Sequence, residues 1–559
     1  MQSPRFRLRD TPKHVTQSQN MQPHIEKTVR FLNKSTNPSS EDLLRFLLND
    51  LEKEVREKAF EGLYLKRTPA ILLELFHLVT QNEEQWKRAD FLTPERMSRL
   101  TEEAIRGGDF ELVKHGCDVA VRNNLYETLP AINAMLEVPR PEWAELSAET
   151  VLKLGTCFYN ELADATSEVE RRNMDRRREW FASQLEDGVK RYSIHRRLEP
   201  IKAYLLVAKK GYPFLLSALA DVHSQVCKTI VDLLQNNEEG SYYRLLLSFV
   251  DDANSPPVID LILASKREPK FVRYLLKMVG PNPAQITKDA LKRFKEFSWI
   301  APGNEQEIIE LIAGEEVSFV QLLANTTLPR ETALAMFELV FSLPSVEARR
   351  AAVKALRAFN GDDANRILIA AADDPDPVVC SDVLRLLKAK RVKEVDQLIM
   401  QNYDRPSDII RETIYELMPE FRIETFFQRL DQMTENMANI LGRVVRSVDP
   451  NVRGRISQEV GSAIPVRRRI AINTMRYTKL APEYEETLID VFDNDNDNDV
   501  RIAACLALGQ VLTVDAFQTL QRATSSTNLA LQRAGTEAIR NWQVALEQQQ
   551  QQETAGSST

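Results

Sequence analysis

Along the C-terminal part of the chain the apolar positions recur at helical spacing, and the clearest instance is Asp499-Val-Arg-Ile-Ala-Ala-Cys-Leu-Ala-Leu-Gly509. Val500, Ala504, Ala507 and Leu508 fall on one face of a helix, Asp499 can cap its first turn, and the small residues admit a second helix at close range. The same template returns with Val500 replaced by Ala348, Val379, Ile410, Met437, Val466 and Leu531, at gaps of 31, 31, 27, 29, 34 and 31 residues. A period near 30 predicts stacked helix pairs, an all-α solenoid built as a superhelix of antiparallel pairs.

Weaker echoes extend the pattern toward the N-terminus: Val55, Ala59, Gly62 and Leu63, then Leu112, Gly116, Val119 and Ala120, then Val226, Ile230, Leu233 and Leu234. Residues 1–38 are rich in polar and basic side chains and are expected to be a disordered arm; the first clear helix opens at Ser40. Residues 39–219 read as divergent helical repeats, with longer helices over 142–212 and the charged run Glu168 to Arg178 inside them. From Glu168 to Tyr212 there are 12 Lys or Arg against 7 Asp or Glu, which reads first as a solvated helix laced by i,i+4 pairs such as Glu168 with Arg172, and second as a partner site. Middle repeats follow over 220–340, punctuated by turns such as Gly280-Pro-Asn-Pro283, then regular repeats over 341–545, and a Gln-rich tail over 546–559 that is expected to be disordered.

Composition narrows the class. With 43% hydrophobic and 28% charged residues, 18 Gly and 26 Pro, the 559-residue chain suits helices broken by short turns. A formal net charge of −8 argues against coating nucleic acid, and no apolar run reaches the length of a membrane span. The cysteines at 117, 157, 227, 380 and 505 stand singly, which implies reduced thiols and a cytoplasmic setting.

Asp499-Val500-Arg501 with Ala504, Ala507 and Leu508, and Glu347-Ala348-Arg349 with Ala352, Ala355 and Leu356, resemble the second helix of HEAT repeats. Val55-Arg56, Val466-Arg467 and Ile410-Arg411 keep the same pair or a near relative, whereas Cys380, Ala438 and Gln532 replace the arginine. The resemblance is to the short, roughly 30-residue variety, and it implies an armadillo-type scaffold that binds other proteins, with the outward side of each second helix lining a concave groove.

Catalytic signals do not assemble. There is no phosphate-binding glycine loop or nucleophile elbow, no His is followed by Glu, and Cys117 falls between apolar template positions. The run Asp493 to Asp499 opens like an EF-hand loop but places Asn498 where Gly is needed and Ala504 where Glu is needed, so it reads as an inter-repeat turn with a helix cap. No cofactor, metal or catalytic residue is expected. The alternative class is a helical-repeat enzyme or nucleic-acid-acting protein, lyase-like or repair-like.

Outward offsets 2, 6 and 9 from each anchor supply the candidate binding residues. They include Arg350, Lys354, Arg357, Arg385, Lys388, Arg443, Arg446, Arg468, Arg533 and Arg540, ten cations among 21 positions, with three acids. Helix C-termini favour cations and account for part of this bias. The remainder predicts a groove for an acidic protein segment.

Overall fold

The computed structural model describes residues 23–50, 52–81 and 92–556. Every regular element among them is a helix, and successive helices pack on one another as in an all-α solenoid. It divides into two compact units, residues 1–315 with 325–329, and residues 316–324 with 330–559.

In the second unit seven helix hairpins follow one another. Their second helices are Val346–Leu356, Pro377–Ala389, Asp408–Leu417, Glu435–Val448, Pro465–Tyr477, Asn498–Leu508 and Leu529–Gly556, each packed on the next. The first hairpin opens with the helix Arg330–Phe341. Side-chain caps start these helices where the turn sequences provide them. Asp376 accepts from the amides of Val378 and Val379, and Asp497, two residues before the expected Asp499, accepts from Asp499 and Val500. The expected small-residue seam is present: Val500, Ala504, Ala507 and Leu508 are fully buried in one cluster with Ile472, Met475 and Leu531. Fully burying a side chain such as Leu508 contributes about 1.5–3 kcal/mol.

The register is one residue later than expected in two hairpins. Met437 and Val466 are more than half exposed, while Ala438, Gly442 and Val445, and Ala471, Thr474 and Met475, are buried. An anchor at 438 fits the first of these helices; in the second the buried offsets 4, 7 and 8 count from 467, although Arg467 itself is exposed. Three successive arginines, Arg467 to Arg469, make Val466-Arg467 look like the Val-Arg pair, but the structure puts Arg468 in that role. Gly442 is part of this shift. A Cβ placed on it would lie 2.5 Å from the Tyr477 carbonyl oxygen, so the helices Glu435–Val448 and Pro465–Tyr477 approach more closely than alanine would allow.

In the first unit Pro141–Asp164 and Glu168–Lys190 are the long helices expected in 142–212, while the rest of that span holds the short helices Tyr192–His195 and Glu199–Val207. The helix Glu168–Lys190 opens with a capping box between Ser167 and Glu170. Arg178, the last cation of the charged run, is buried and donates to the carbonyls of Val207 and Ala208, closing the C-terminal end of the helix Glu199–Val207. Arg177 lies over the Tyr126 ring, and Arg172 pairs with Glu168 as expected. Lys266 is likewise buried, donating to the carbonyls of Gln235 and Asn237 at the C-terminal end of the helix Gln225–Asn236.

Both chain ends contain helix where disorder is expected. Of the 1–38 arm, residues 1–22 lie outside the described residues, but Pro23–Lys34 is a helix that buries Val29 and Leu32. Those two apolar residues, three apart, are enough to dock it on the helix Lys53–Lys66. At the other end Leu529–Gly556 runs through the glutamines, which are good helix formers, and residues 557–559 lie outside the described residues.

Candidate protein-binding face

The ten candidate cations sit on the second helices of the C-terminal unit, and the structure separates them into two sets. Five are engaged by acids. Arg350 meets Asp382 at 3.3 Å and Arg385 meets Glu416 at 3.0 Å, each reaching from one second helix to the next. Lys388 pairs with Asp396 at 2.7 Å, and Arg446 lies 3.7 Å from Glu483 while donating to the Lys479 carbonyl at 2.8 Å. Arg468 is held most firmly, with Nε and Nη2 donating to the two carboxylate oxygens of Asp495 at 2.7 and 2.8 Å.

Arg468 is therefore an internal tie and not a groove residue. Its partner Asp495 stands five residues before the next anchor, Val500, and also accepts from the amide of the capping residue Asp497 at 2.8 Å. Arg349 repeats the arrangement: it donates to both oxygens of Asp374 at 2.7 and 3.1 Å, and Asp374, five residues before the anchor Val379, accepts from the amide of the capping residue Asp376 at 2.9 Å. Each arginine also donates to the carbonyl six residues behind it, Leu343 for Arg349 at 2.7 Å and Ser462 for Arg468 at 2.9 Å. Bidentate Arg–carboxylate geometry fixes both distance and rotation between neighbouring hairpins. The Arg468 guanidinium holds the Asp495 carboxyl below the usual carboxylate range.

Lys354, Arg357, Arg443, Arg533 and Arg540 form the other set. They are exposed, and among the described residues no carboxylate lies within ion-pair distance of them. Arg443 belongs to a cluster whose other members the sequence reading did not select. The Lys479 ammonium, on a residue that stays exposed, is pushed down by desolvation and by the positive charges of Arg443 and Arg476, against the opposing charge of Glu435. Arg476 is the outward offset 9 once the anchor moves to 467, so the correct register would have found it. Lys479 follows the helix Pro465–Tyr477 with a left-handed φ of 57°, a backbone feature that no pattern of apolar residues announces. Glu435 pairs with Arg476, and Glu483 is held mainly by Arg453 at 2.8 Å. Arg443 and Lys479 are left to set the local potential.

Some expected outward positions face the neighbouring helix. Ser381, an outward offset 2, is fully buried and shares a hydrogen bond of 2.5 Å with Thr413 of the following second helix. In the other direction, a groove of about 690 Å³ lies between the first helices Arg330–Phe341 and Asp362–Ala371, lined by Leu334, Phe341, Ile367, Glu331, Glu338 and Asp373 among others.

The acidic run beside these helices is used internally. Asp493 pairs with Arg522 at 2.8 Å, Asp495 with Arg468, and Asp497 caps a helix. Among the described residues no group of three His, Cys, Asp or Glu side chains is placed to hold a metal. Burial pushes the Cys117 thiol up to about 11 and the Cys505 thiol up to about 12, so neither is a thiolate at neutral pH. No described helix is long and apolar enough to cross a membrane.

No family model and no curated protein matches the chain. Among known structures, it is similar to a chain from a study of a phosphorylation switch that controls the interaction between cadherin and beta-catenin, at 11% identity and a TM-score of 0.28, over 90% of this chain and 99% of that one. It is also similar to Kap121p in a crystal structure with Pho4p bound, at 12% identity and a TM-score of 0.21, over 93% of this chain and 54% of that one. A homology model of the full-length AP-3 complex in an intermediate open conformation contains a third such chain, at 11% identity and a TM-score of 0.22, over 94% of this chain and 95% of that one.

Proposed function

We propose that this protein is a non-catalytic scaffold of the short HEAT-repeat type, cytoplasmic, that captures an acidic segment of a protein partner on the second-helix face of its C-terminal unit. The observation that carries the reading is the exposed pair Arg443 and Lys479, neither within ion-pair distance of a carboxylate among the described residues, on either side of the seam where Arg446 donates to the Lys479 carbonyl at 2.8 Å. Neighbouring cations of one sign repel each other in the unbound protein, and an acidic partner offsets that cost. Lys354 and Arg357 extend the same charge onto the helix Val346–Leu356 and its C-terminal end. The net charge of −8 disfavours a polyanion as large as nucleic acid and leaves a short acidic segment as the fitting ligand.

The test uses the full chain as bait in its native lysate, beside a variant carrying Lys354→Glu, Arg357→Glu and Arg443→Glu. None of the three is tied to an acid, so the variant is expected to melt like the parent and to lose its captured partner, with the parent's capture weakening as salt rises. A folded variant that retains every partner at unchanged affinity overturns the reading.

A further inference from the structure

Three adjacent second helices carry a large apolar residue immediately before their anchor: Ile409, Met437 and Val466, 40%, 53% and 53% exposed. The same position is Glu347 in the first hairpin and Asp499 in the sixth, both exposed, as expected for the start of a helix, a half-buried Val378 in the second and the small Ala530 in the seventh. Apolar side chains in these three hairpins do not serve the core, because Ile410, Ala438, and Ala471 with Met475 already fill it. The helices Asp408–Leu417, Glu435–Val448 and Pro465–Tyr477 pack side by side, so equivalent positions lie about 8–10 Å apart. Ile440, 59% exposed, stands one turn after Met437 on the same face, and Arg443 one turn after Ile440. On the helix Glu435–Val448 the face passes from apolar at its start to the exposed Arg443, whose charge acts on Lys479 across the seam where Arg446 donates to the Lys479 carbonyl at 2.8 Å; the helix Asp408–Leu417 instead carries Glu412 and Glu416 after Ile409. Single exposed apolar residues are ordinary on any protein, but a row at one repeat position, ending on uncompensated cations, is a binding feature.

We propose that Ile409, Met437, Ile440 and Val466 are the anchor sites for an amphipathic acidic helix of the partner, its apolar side chains set between them and its carboxylates over Arg443 and Lys479. This rests on the reading of the cation cluster as the binding face and adds what the partner must carry besides charge. A purely hydrophilic acidic tail would leave the row exposed, and an apolar helix without acids would leave the cations uncompensated. Helix-in-groove recognition uses anchors at i, i+4 and i+7 in this way.

Two synthetic probes of about 16 residues decide it by fluorescence anisotropy with the full chain: an acidic helix former with Leu at i, i+4 and i+7, and the same peptide with Ser at those places. The Leu probe is expected to bind at least ~10-fold more tightly. The variant Met437→Ser, Ile440→Ser, Val466→Ser should lose that advantage and leave binding of the Ser probe unchanged; these side chains are exposed, so its melting temperature should match the parent's. Equal binding of the two probes overturns the apolar row while leaving the acidic-segment reading standing. Failure of both probes to bind overturns both. Binding to vesicles containing about 30% phosphatidylserine in preference to the Leu probe assigns the row to a membrane surface and overturns the partner helix.

Discussion

Asp495 accepts two hydrogen bonds from Arg468 of the preceding hairpin and a third from the amide of Asp497, so one carboxylate joins an inter-repeat tie to a helix cap. Arg349 and Asp374 stand in the same relation elsewhere in the stack, both nearly inaccessible to solvent. Removing one member of such a pair strands the other, and the expected cost of Arg349→Met is about 3–5 kcal/mol. Replacing Arg349 and Asp374 together by apolar residues should recover much of that loss. Urea unfolding of the two single variants and the double variant checks the coupling; additive losses would show that the pair is not a unit.

The same pairing makes stability depend on pH. Because Arg468 depresses the Asp495 carboxyl, the folded state binds its proton later than the unfolded chain, whose carboxyl titrates near 3.9. The stabilisation is fully present above about pH 4 and disappears as the pH falls through the depressed value. Asp495→Asn should therefore melt well below the parent at pH 6, with the gap narrowing toward pH 2. A gap that stays constant would show that the charge of Asp495 is not what stabilises.

Ala507 is fully buried in the apolar cluster that the helix Asn498–Leu508 shares with Leu529–Gly556. Ala507→Glu should cost several kcal/mol, read as a large fall in melting temperature. A variant that melts with the parent would contradict this packing.

Gly442 and Gly454 make a matched pair of helical glycines. A methyl group on Gly442 would collide with the Tyr477 backbone at 2.5 Å, whereas one on Gly454 meets nothing within 4 Å. Gly442→Ala should destabilise by about 1–3 kcal/mol and Gly454→Ala should stabilise by about 0.5–1 kcal/mol. Opposite shifts in denaturant midpoint are the expected outcome.

Charge reversals should separate ties from free cations. Arg350→Glu and Arg385→Glu place an acid against Asp382 and Glu416, each costing up to about 1 kcal/mol at these half-exposed sites. Arg443→Glu should leave stability unchanged or raise it slightly, since it removes a positive charge that opposes Lys479. Thermal melts at low and high salt distinguish these, because screening should shrink every difference.

The solenoid was legible from the recurrence of four buried offsets, and the helices over 141–190 from their length of apolar pattern. Arg468 shows where such reading fails. Its neighbours Arg467 and Arg469 offer the same residue type at three consecutive positions, and only the carboxylate of Asp495, 27 residues away, selects the one that turns inward. Ser381 fails for a related reason: offset 2 faces the next hairpin there, and Thr413 is the partner that makes burial of its hydroxyl tolerable. The helix Pro23–Lys34 was missed because two buried apolar residues are too few to reveal a period, although they suffice once the helix Lys53–Lys66 is there to receive them.

Ties that reach only from one hairpin to the next also determine how the C-terminal unit would answer to force. Pulled from its end, a stack of this kind has no distant strand or loop to share the load, so each hairpin must yield at its own seam. Extension should proceed as a staircase, each step releasing about 30 residues, or roughly 100 Å of contour. The seams closed by Arg349 with Asp374 and by Arg468 with Asp495 should be the ones that hold longest, making two catches in an otherwise compliant spring.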